Sequence, residues 1–213
     1  MSDVRVNMMM SLDGYAAGPD QSPEQPFGIG GEQLTEWVMP LRTFRESHGE
    51  EGGEDNPSGP IVEGWLKGVG ASVMGRNMFG GGPGPWGDDP WTGYWGEDPP
   101  YHHPVFVLTH HAREPLEMQG GTTFHFVTDG ISSALEQARD AAGGQDVSIA
   151  GGASTVNQYL AAGDIDEILI ALVPVFIGGG SRLFEDLGDA RPRLDPVEVV
   201  DAPGVTHIRY RVS

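Results

Sequence analysis

The stretch from Asp146 to Leu160, reading DVSIAGGASTVNQYL, limits the fold of this chain more than any other part of it. Val147, Ile149 and Ala150 form an apolar run long enough for one buried strand. Gly151-Gly152 then removes two side chains in succession, and Ser154 or Thr155 is placed to cap a helix carrying Val156, Tyr159 and Leu160 on one face. The order strand, glycine turn, helix puts backbone N–H groups and a helix N-terminus at the mouth of a sheet, where an anion such as a pyrophosphate can be held. A Cβ at the turn would keep such an anion off the main chain. The same glycine pair also reads as a tight turn without a ligand. The spacing is not G-x-G-x-x-G, so the common dinucleotide fingerprint is absent.

The flanking chain supplies the rest of a sheet. Val4 to Met10 reads as a central strand, apolar nearly throughout, and Ser11 to Tyr15 leaves it as a turn. Residues from Pro19 to about Pro60 are a long excursion with one helix, Glu32 to Arg45, interrupted near Pro40 and carrying Leu34, Trp37, Val38, Leu41 and Phe44 on one side. Its acidic, glycine-rich part, Gly49 to Gly59, is expected to be mobile. A helix from Ser58 to Lys67, a strand from Ala71 to Met74 and a turn at Gly75 to Met78 follow. Phe79 to Pro104 is a second long loop, holding Trp86, Trp91 and Trp95. Strands are expected at Val105 to Thr109, Thr123 to Val127 and Glu167 to Phe176, with a helix from Ile131 to Ala142 capped by Asp129. Val197 to Asp201 and Val205 to Val212 flank Pro203-Gly204 as an antiparallel hairpin. Strands alternating with helices imply a mostly parallel sheet covered on both faces.

The 213 residues suit one domain, 1–213, with long loops at about 19–59 and 79–104. The absence of Cys excludes a disulfide scaffold, a thiol nucleophile and cysteine-ligated zinc. The formal charge of −19 argues against nucleic acid or an anionic membrane as partner. Of the 12 basic residues only Lys67 is lysine, so an anionic ligand must be met by main-chain amides and a few arginines. No run approaches the ~18 apolar residues of a membrane span, and no basic leader opens the chain, so a cytoplasmic protein is expected. His102-His103 and His110-His111 flank one strand, but neighbouring strand residues point to opposite faces, so no metal site is expected.

Four segments, in order, resemble the dihydrofolate-reductase-like fold. They are Ser11-Leu12-Asp13-Gly14-Tyr15 with Ala16 to Pro19, Val73-Met74-Gly75-Arg76, Val107-Leu108-Thr109, and Gly151-Gly152-Ala153-Ser154. A fifth, Val173-Pro174-Val175 with Gly178 to Phe184, is similar to the reductase domain of riboflavin-biosynthesis enzymes. The resemblance spans Val4 to about Leu187. It implies a three-layer α/β fold, a mostly parallel central sheet with a C-terminal antiparallel hairpin, a homodimer, and NADPH bound across the C-terminal ends of the strands. Position by position, Ala16 and Ala17 would lie near the nicotinamide, and Gly75, Arg76, Asn77 and Met78 against the cofactor phosphates. Thr109 and His110 would follow the adenosine side near the 2′-phosphate, and Gly151, Gly152, Ala153, Ser154 and Thr155 would receive the pyrophosphate.

For the substrate side the resemblance implies Asp13, Tyr15, Val173, Pro174, Gly178 and Arg182. Asp13 would hydrogen-bond a pyrimidine edge or orient a substrate hydroxyl, and it also reads as an Asp-Gly turn residue. The substrate of that branch is a ribosylaminopyrimidine phosphate, and Arg182, Arg42 or Arg45 would clamp its phosphate. A dihydrofolate reductase needs a carboxylate in the pterin pocket, and the matching place near Ser58 to Pro60 has none. The chain therefore reads as a reductase of a small heterocyclic or carbonyl molecule. The competing reading is a non-catalytic nucleotide-binding dimer of the same fold, whose enlarged loops cover or fill the substrate side.

Overall fold

The computed structural model describes residues 2–88 and 90–213, which leaves Asp89 of the second long loop outside the described residues. The strands are β1 (Val4–Ser11), β2 (Tyr15–Ala17), β3 (Val69–Gly75), β4 (Pro104–Leu108), β5 (Leu116–Glu117), β6 (Thr123–Val127), β7 (Asp146–Gly151), β8 (Glu167–Val173), β9 (Ser181–Arg182), β10 (Leu194–Ala202) and β11 (Val205–Val212). The helices are α1 (Arg42–Ser47), α2 (Ser58–Glu63), α3 (Arg76–Phe79), α4 (Ile131–Ala142) and α5 (Ala153–Ala162). Nine strands form one sheet in the order β10-β11-β8-β1-β7-β3-β4-β6-β5. From β8 to β6 the neighbours run parallel, while β5, β11 and β10 are antiparallel additions. A separate ribbon pairs β2 with β9.

Both faces of the parallel strands are apolar, so both must be covered. On one face α4 and α5 pack Ala134, Leu135, Ala138, Val156 and Leu160 against Val4, Val6, Val73, Ile149 and Ile168. No helix of comparable length covers the other face among the described residues. It is covered by the two long connections. Leu34, Trp37, Val38 and Leu41 of the first pack on Ala171, Val173 and Val205. Phe79 and Tyr101 of the second join Met74, Val105, Val107 and Phe124, with Trp86, Trp91 and Trp95 around them. The loops expected from the glycine and proline clusters thus form the third layer of the fold.

The sheet, β1 inside it, the closing hairpin, β6 and α4 stand where the sequence puts them. Four local expectations are corrected. The helix over Glu32 to Arg45 is a 3₁₀ turn at Gly31–Leu34, further turns, and α1. Pro40 lacks an N–H and disfavours helix at Met39, although the apolar side read from the sequence is the side buried. The strand after Glu167 stops at Val173, because Pro174 cannot donate to a neighbouring strand. The capping roles given to Ser154, Thr155 and Asp129 fall to glycines: Gly152 precedes α5 and Gly130 precedes α4, with no side-chain cap at either. The helix from Ser58 ends at Glu63, four residues before Lys67. The acidic part of the excursion is hydrogen-bonded back to it, through Arg42 N to Glu54 O at 2.9 Å and Glu54 N to Pro40 O at 2.7 Å.

His103 is buried beside Ser72, with its Nε2 2.8 Å from the Ser72 hydroxyl. Burial, and then the neighbouring His102, push its imidazole down to about 4. The folded state therefore holds it neutral while the unfolded chain takes up a proton near ~6.5. This stabilisation is complete above that value and is lost as pH falls toward about 4. We expect His103→Gln, which keeps a hydrogen-bonding group, to lose less stability than the native chain between neutral pH and pH ~5. The difference should be on the order of 2 kcal/mol by urea denaturation.

Candidate active site

The parallel strands β1, β7, β3, β4 and β6 end at one edge of the sheet, and the segments that leave that edge close around a cleft of about 740 Å³. All thirteen residues assigned to a cofactor by resemblance line it. Ala16 and Ala17 come from β2, Gly75 to Met78 from the end of β3 and α3, Thr109 and His110 from the turn after β4, and Gly151 to Thr155 from the turn into α5. The two long connections complete the walls with Gln21, Pro26 and Phe27 on one side and Pro83, Gly84, Tyr94 and Trp95 on the other.

Glycine is required at two points in this edge. A Cβ on Gly75 would collide with Thr155 Oγ1, so β3 can approach the first turn of α5 only without a side chain there. Gly151 has φ 128°, and a Cβ on it would lie 3.0 Å from Met78 Sδ. Beyond the glycines, the first amides of α5 have no acceptor within the helix, which leaves them for an anion in the cleft.

Arg76 is the cation of the cleft wall. Its guanidinium lies 3.1 Å from the centroid of the Trp86 ring, donates to Gly80 O at 3.1 Å and reaches Thr109 Oγ1 at 3.4 Å. Arg113, which the sequence did not single out, lies 4.9 Å from the same Trp86 ring and donates to Trp91 O at 2.6 Å. Burial, then the charge of Arg113, lowers the Arg76 guanidinium from its ordinary value, and burial lowers Arg113 as well. Among the described residues the ion-paired arginines are Arg5, Arg42, Arg45, Arg193, Arg209 and Arg211, so this half-buried pair faces carbonyls and an indole without a carboxylate. No Asp or Glu lines the cleft among the described residues, in a chain with 31 of them. The acidity of the protein is kept away from this one edge.

The residues assigned to a substrate by resemblance lie elsewhere. None of Asp13, Tyr15, Val173, Pro174, Gly178 and Arg182 lines the cleft. The Asp13 carboxylate accepts from the Ser11 hydroxyl at 2.6 Å, Gly178 N at 2.7 Å and Ile177 N at 3.2 Å. The Ser11 hydroxyl, ahead of the two amides, holds it below the usual carboxylate range. It joins the loop after β1 to the loop after β8, the turn role left open by its Asp-Gly context. Arg182 lies over the Tyr15 ring at 4.4 Å and donates to Asp13 O and the Tyr15 hydroxyl. Val173 is core of the second face. Trp37 is core as well, and Phe176 is exposed. Among the described residues no group of three or more metal-ligating side chains is found.

The model of the RibD C-terminal domain family matches residues 2–207. The chain belongs to that family. Its fold is shared with a protein of Shewanella sp. PV-4 attributed to riboflavin biosynthesis, at 22% identity and a TM-score of 0.64 over 99% of both chains. It is shared also with a diaminohydroxyphosphoribosylaminopyrimidine deaminase/5-amino-6-(5-phosphoribosylamino)uracil reductase of Thermotoga maritima, at 12% identity and a TM-score of 0.57. That match covers 100% of this chain and 57% of the Thermotoga protein. A dihydrofolate reductase of Enterococcus faecalis complexed with NADP(H) matches at 13% identity and a TM-score of 0.50 over 99% and 96% of the two chains. No curated protein sequence matches the chain significantly. The dihydrofolate-reductase-like fold read from the five segments is therefore the fold of this RibD C-terminal domain protein.

The close approach of β3 and α5 makes a specific prediction. Gly75→Ala should cost about 1–3 kcal/mol through overpacking. Thr155→Ala removes the hydroxyl that the new methyl would meet, so the double variant should recover about 1 kcal/mol relative to additivity. Strict additivity in urea denaturation would show that the two positions do not press on each other.

Proposed function

We propose that this chain is an NADPH-dependent oxidoreductase acting on a small heterocyclic or carbonyl molecule. One observation carries the reading: thirteen residues from four separate segments, each expected beside the cofactor, line one acid-free cleft. The cleft also fits a phosphate-rich dinucleotide on other grounds. It has glycines where a Cβ would intrude, free amides at the start of α5, and in its wall Arg76, which has no carboxylate partner among the described residues. NADPH would supply the hydride. The main chain at Gly151 and Gly152 and the first amides of α5 would hold its pyrophosphate, and Arg76, braced on Trp86 beside Arg113, would face its 2′-phosphate. Thr109 and His110 would follow the adenosine. Ala16 and Ala17, small on a wall of the cleft, would leave room for the flat nicotinamide, and Met8, Phe27 and Trp95 would exclude water from it.

The acceptor named for the Thermotoga relative, the phosphoribosylamino-uracil, is the first to assay. A folate reductase is the weaker reading, since no carboxylate lines the cleft among the described residues. A pure binding module is weaker too, because the long connections leave the cleft open instead of filling it. A single domain, a cytoplasmic setting and a homodimer belong to the same proposal. Among the described residues no helix is long and apolar enough to cross a membrane.

Titration with NADPH and NADH, followed by nicotinamide fluorescence, tests the cofactor. We expect tighter binding of NADPH, and a loss of about tenfold or more (~1.4 kcal/mol) in Arg76→Ala. Arg113→Ala should weaken NADPH more than NADH. Equal affinity of the native protein for the two nucleotides would remove the arginine pair from the 2′-phosphate.

A further inference from the structure

Two of the arginines that were candidates to clamp a phosphate are fixed by carboxylates. Arg42 holds both oxygens of Asp55, and Arg45 pairs with Glu50 at 3.2 Å. A carboxylate partner occupies the fork that a phosphate would need. Arg76 is fixed differently. Its guanidinium carbon lies 3.1 Å from the centroid of the Trp86 ring, so the indole supports its flat face. Its Nε donates to Gly80 O at 3.1 Å, one terminal nitrogen to Gly81 O at 3.4 Å and the other to Thr109 Oγ1 at 3.4 Å. Each terminal nitrogen keeps one N–H without a protein acceptor among the described residues. An oxyanion takes such a pair of donors in a two-point contact.

Trp86 does not line the cleft, and neither does Arg113, whereas Arg76 does. The indole is set by the fold around it more than by the loop that carries it. Its Nε1 donates to His111 O, after β4, at 2.9 Å. Its ring meets Phe79, at the end of α3, and Phe126, on β6, edge to face at 5.8 and 5.0 Å. The guanidinium of Arg113 lies 4.9 Å from the same ring, tied to Trp91 O at 2.6 Å. Two like charges thus share one indole. Without it, Arg76 would turn away from Arg113 and toward one of the many carboxylates of a chain with a formal charge of −19.

We infer that Trp86 is a positioning residue: it holds the Arg76 guanidinium at the cleft wall beside a like charge, and so sets the preference for a nucleotide with a 2′-phosphate. The inference rests on the NADPH reading and deepens it. A stack on an aromatic face fixes the plane of a guanidinium and leaves its N–H edge to another partner. The selectivity of the site therefore depends on a side chain behind its wall.

NADPH and NADH titrations of the native protein, Trp86→Met, Trp86→Phe, Arg76→Ala and the double variant Trp86→Met with Arg76→Ala test this, each variant first shown to be folded by its thermal transition. We expect Trp86→Met to lower the preference for NADPH over NADH by about fivefold or more, with NADH affinity changed by less than about twofold. Trp86→Phe keeps an aromatic face and should stay within about threefold of the native preference. With Arg76→Ala already present, Trp86→Met should shift the preference by less than about twofold, because the indole acts through that guanidinium. Trp86→Leu takes the place of Trp86→Met, under the same expectations, if the latter does not fold. Equal affinity of the native protein for the two nucleotides would overturn the inference together with the 2′-phosphate assignment. With the native preference intact, an unchanged preference in Trp86→Met, equal weakening of both nucleotides, a Trp86→Phe no better than Trp86→Met, or an undiminished effect in the Arg76→Ala background would each overturn the inference alone.

Discussion

A sheet of parallel strands has to be covered on both faces, and among the described residues there are only two helices of ten residues or more, both on the same face. Everything distinctive about the molecule follows from how the other face is covered. Two long connections, rich in glycine, proline and tryptophan, do the work of a helical layer. Large aromatic side chains suit that task, because each buries much apolar surface from an irregular backbone. Phe79, Trp86, Phe124 and Phe126 meet edge to face, and Trp95 stacks on Phe124. The same two segments then run on to wall the cleft. Packing of the core and shape of the site are therefore properties of the same residues.

The cleft is also where the electrostatics of the chain are reversed. Most of the arginines are drawn into pairs with the surplus of carboxylates at the surface. Arg76 and Arg113 escape this because Trp86 lies against both and carbonyl oxygens take their donors. Stacking on an indole keeps a guanidinium in place without neutralising it. An acidic protein can in this way keep a small cationic surface for an anionic ligand.

The sheet was legible in the sequence because its strands are short apolar runs closed by glycine or proline, and α4 because its apolar face repeats cleanly. The lining of the cleft was legible for a related reason. It is built from main chain and small residues at strand ends, whose positions follow once the strands are in register. Arg113 was missed because nothing local marks it: it reaches the cleft region through contacts with Trp86, Trp91 and Phe126, over twenty residues away or on another strand. The residues assigned to a substrate do not share that cleft. Asp13 and Arg182 have the chemistry of a site, but whether a carboxylate meets a ligand or two nearby amides depends on loop geometry that no spacing encodes. The third layer was expected and the buried side of its first part, Leu34, Trp37, Val38 and Leu41, was read, but the backbone was taken for one helix because the apolar spacing alone does not register the break at Pro40.

The outer strand β10 has no neighbour on its far side among the described residues, and Val197 and Val199 stand exposed on it. What keeps other chains from stacking there is chemistry that belongs to the strand itself. Pro196 lacks a donor, a bulge interrupts the ladder between Pro196 and Glu198, and Asp195, Glu198 and Asp201 carry charge along its length. That guard is largely ionic. Replacing Glu198 and Asp201 by neutral residues would remove it, leaving two valines and a row of unpaired amides at an open margin. Copies of such a variant would be free to pair margin to margin.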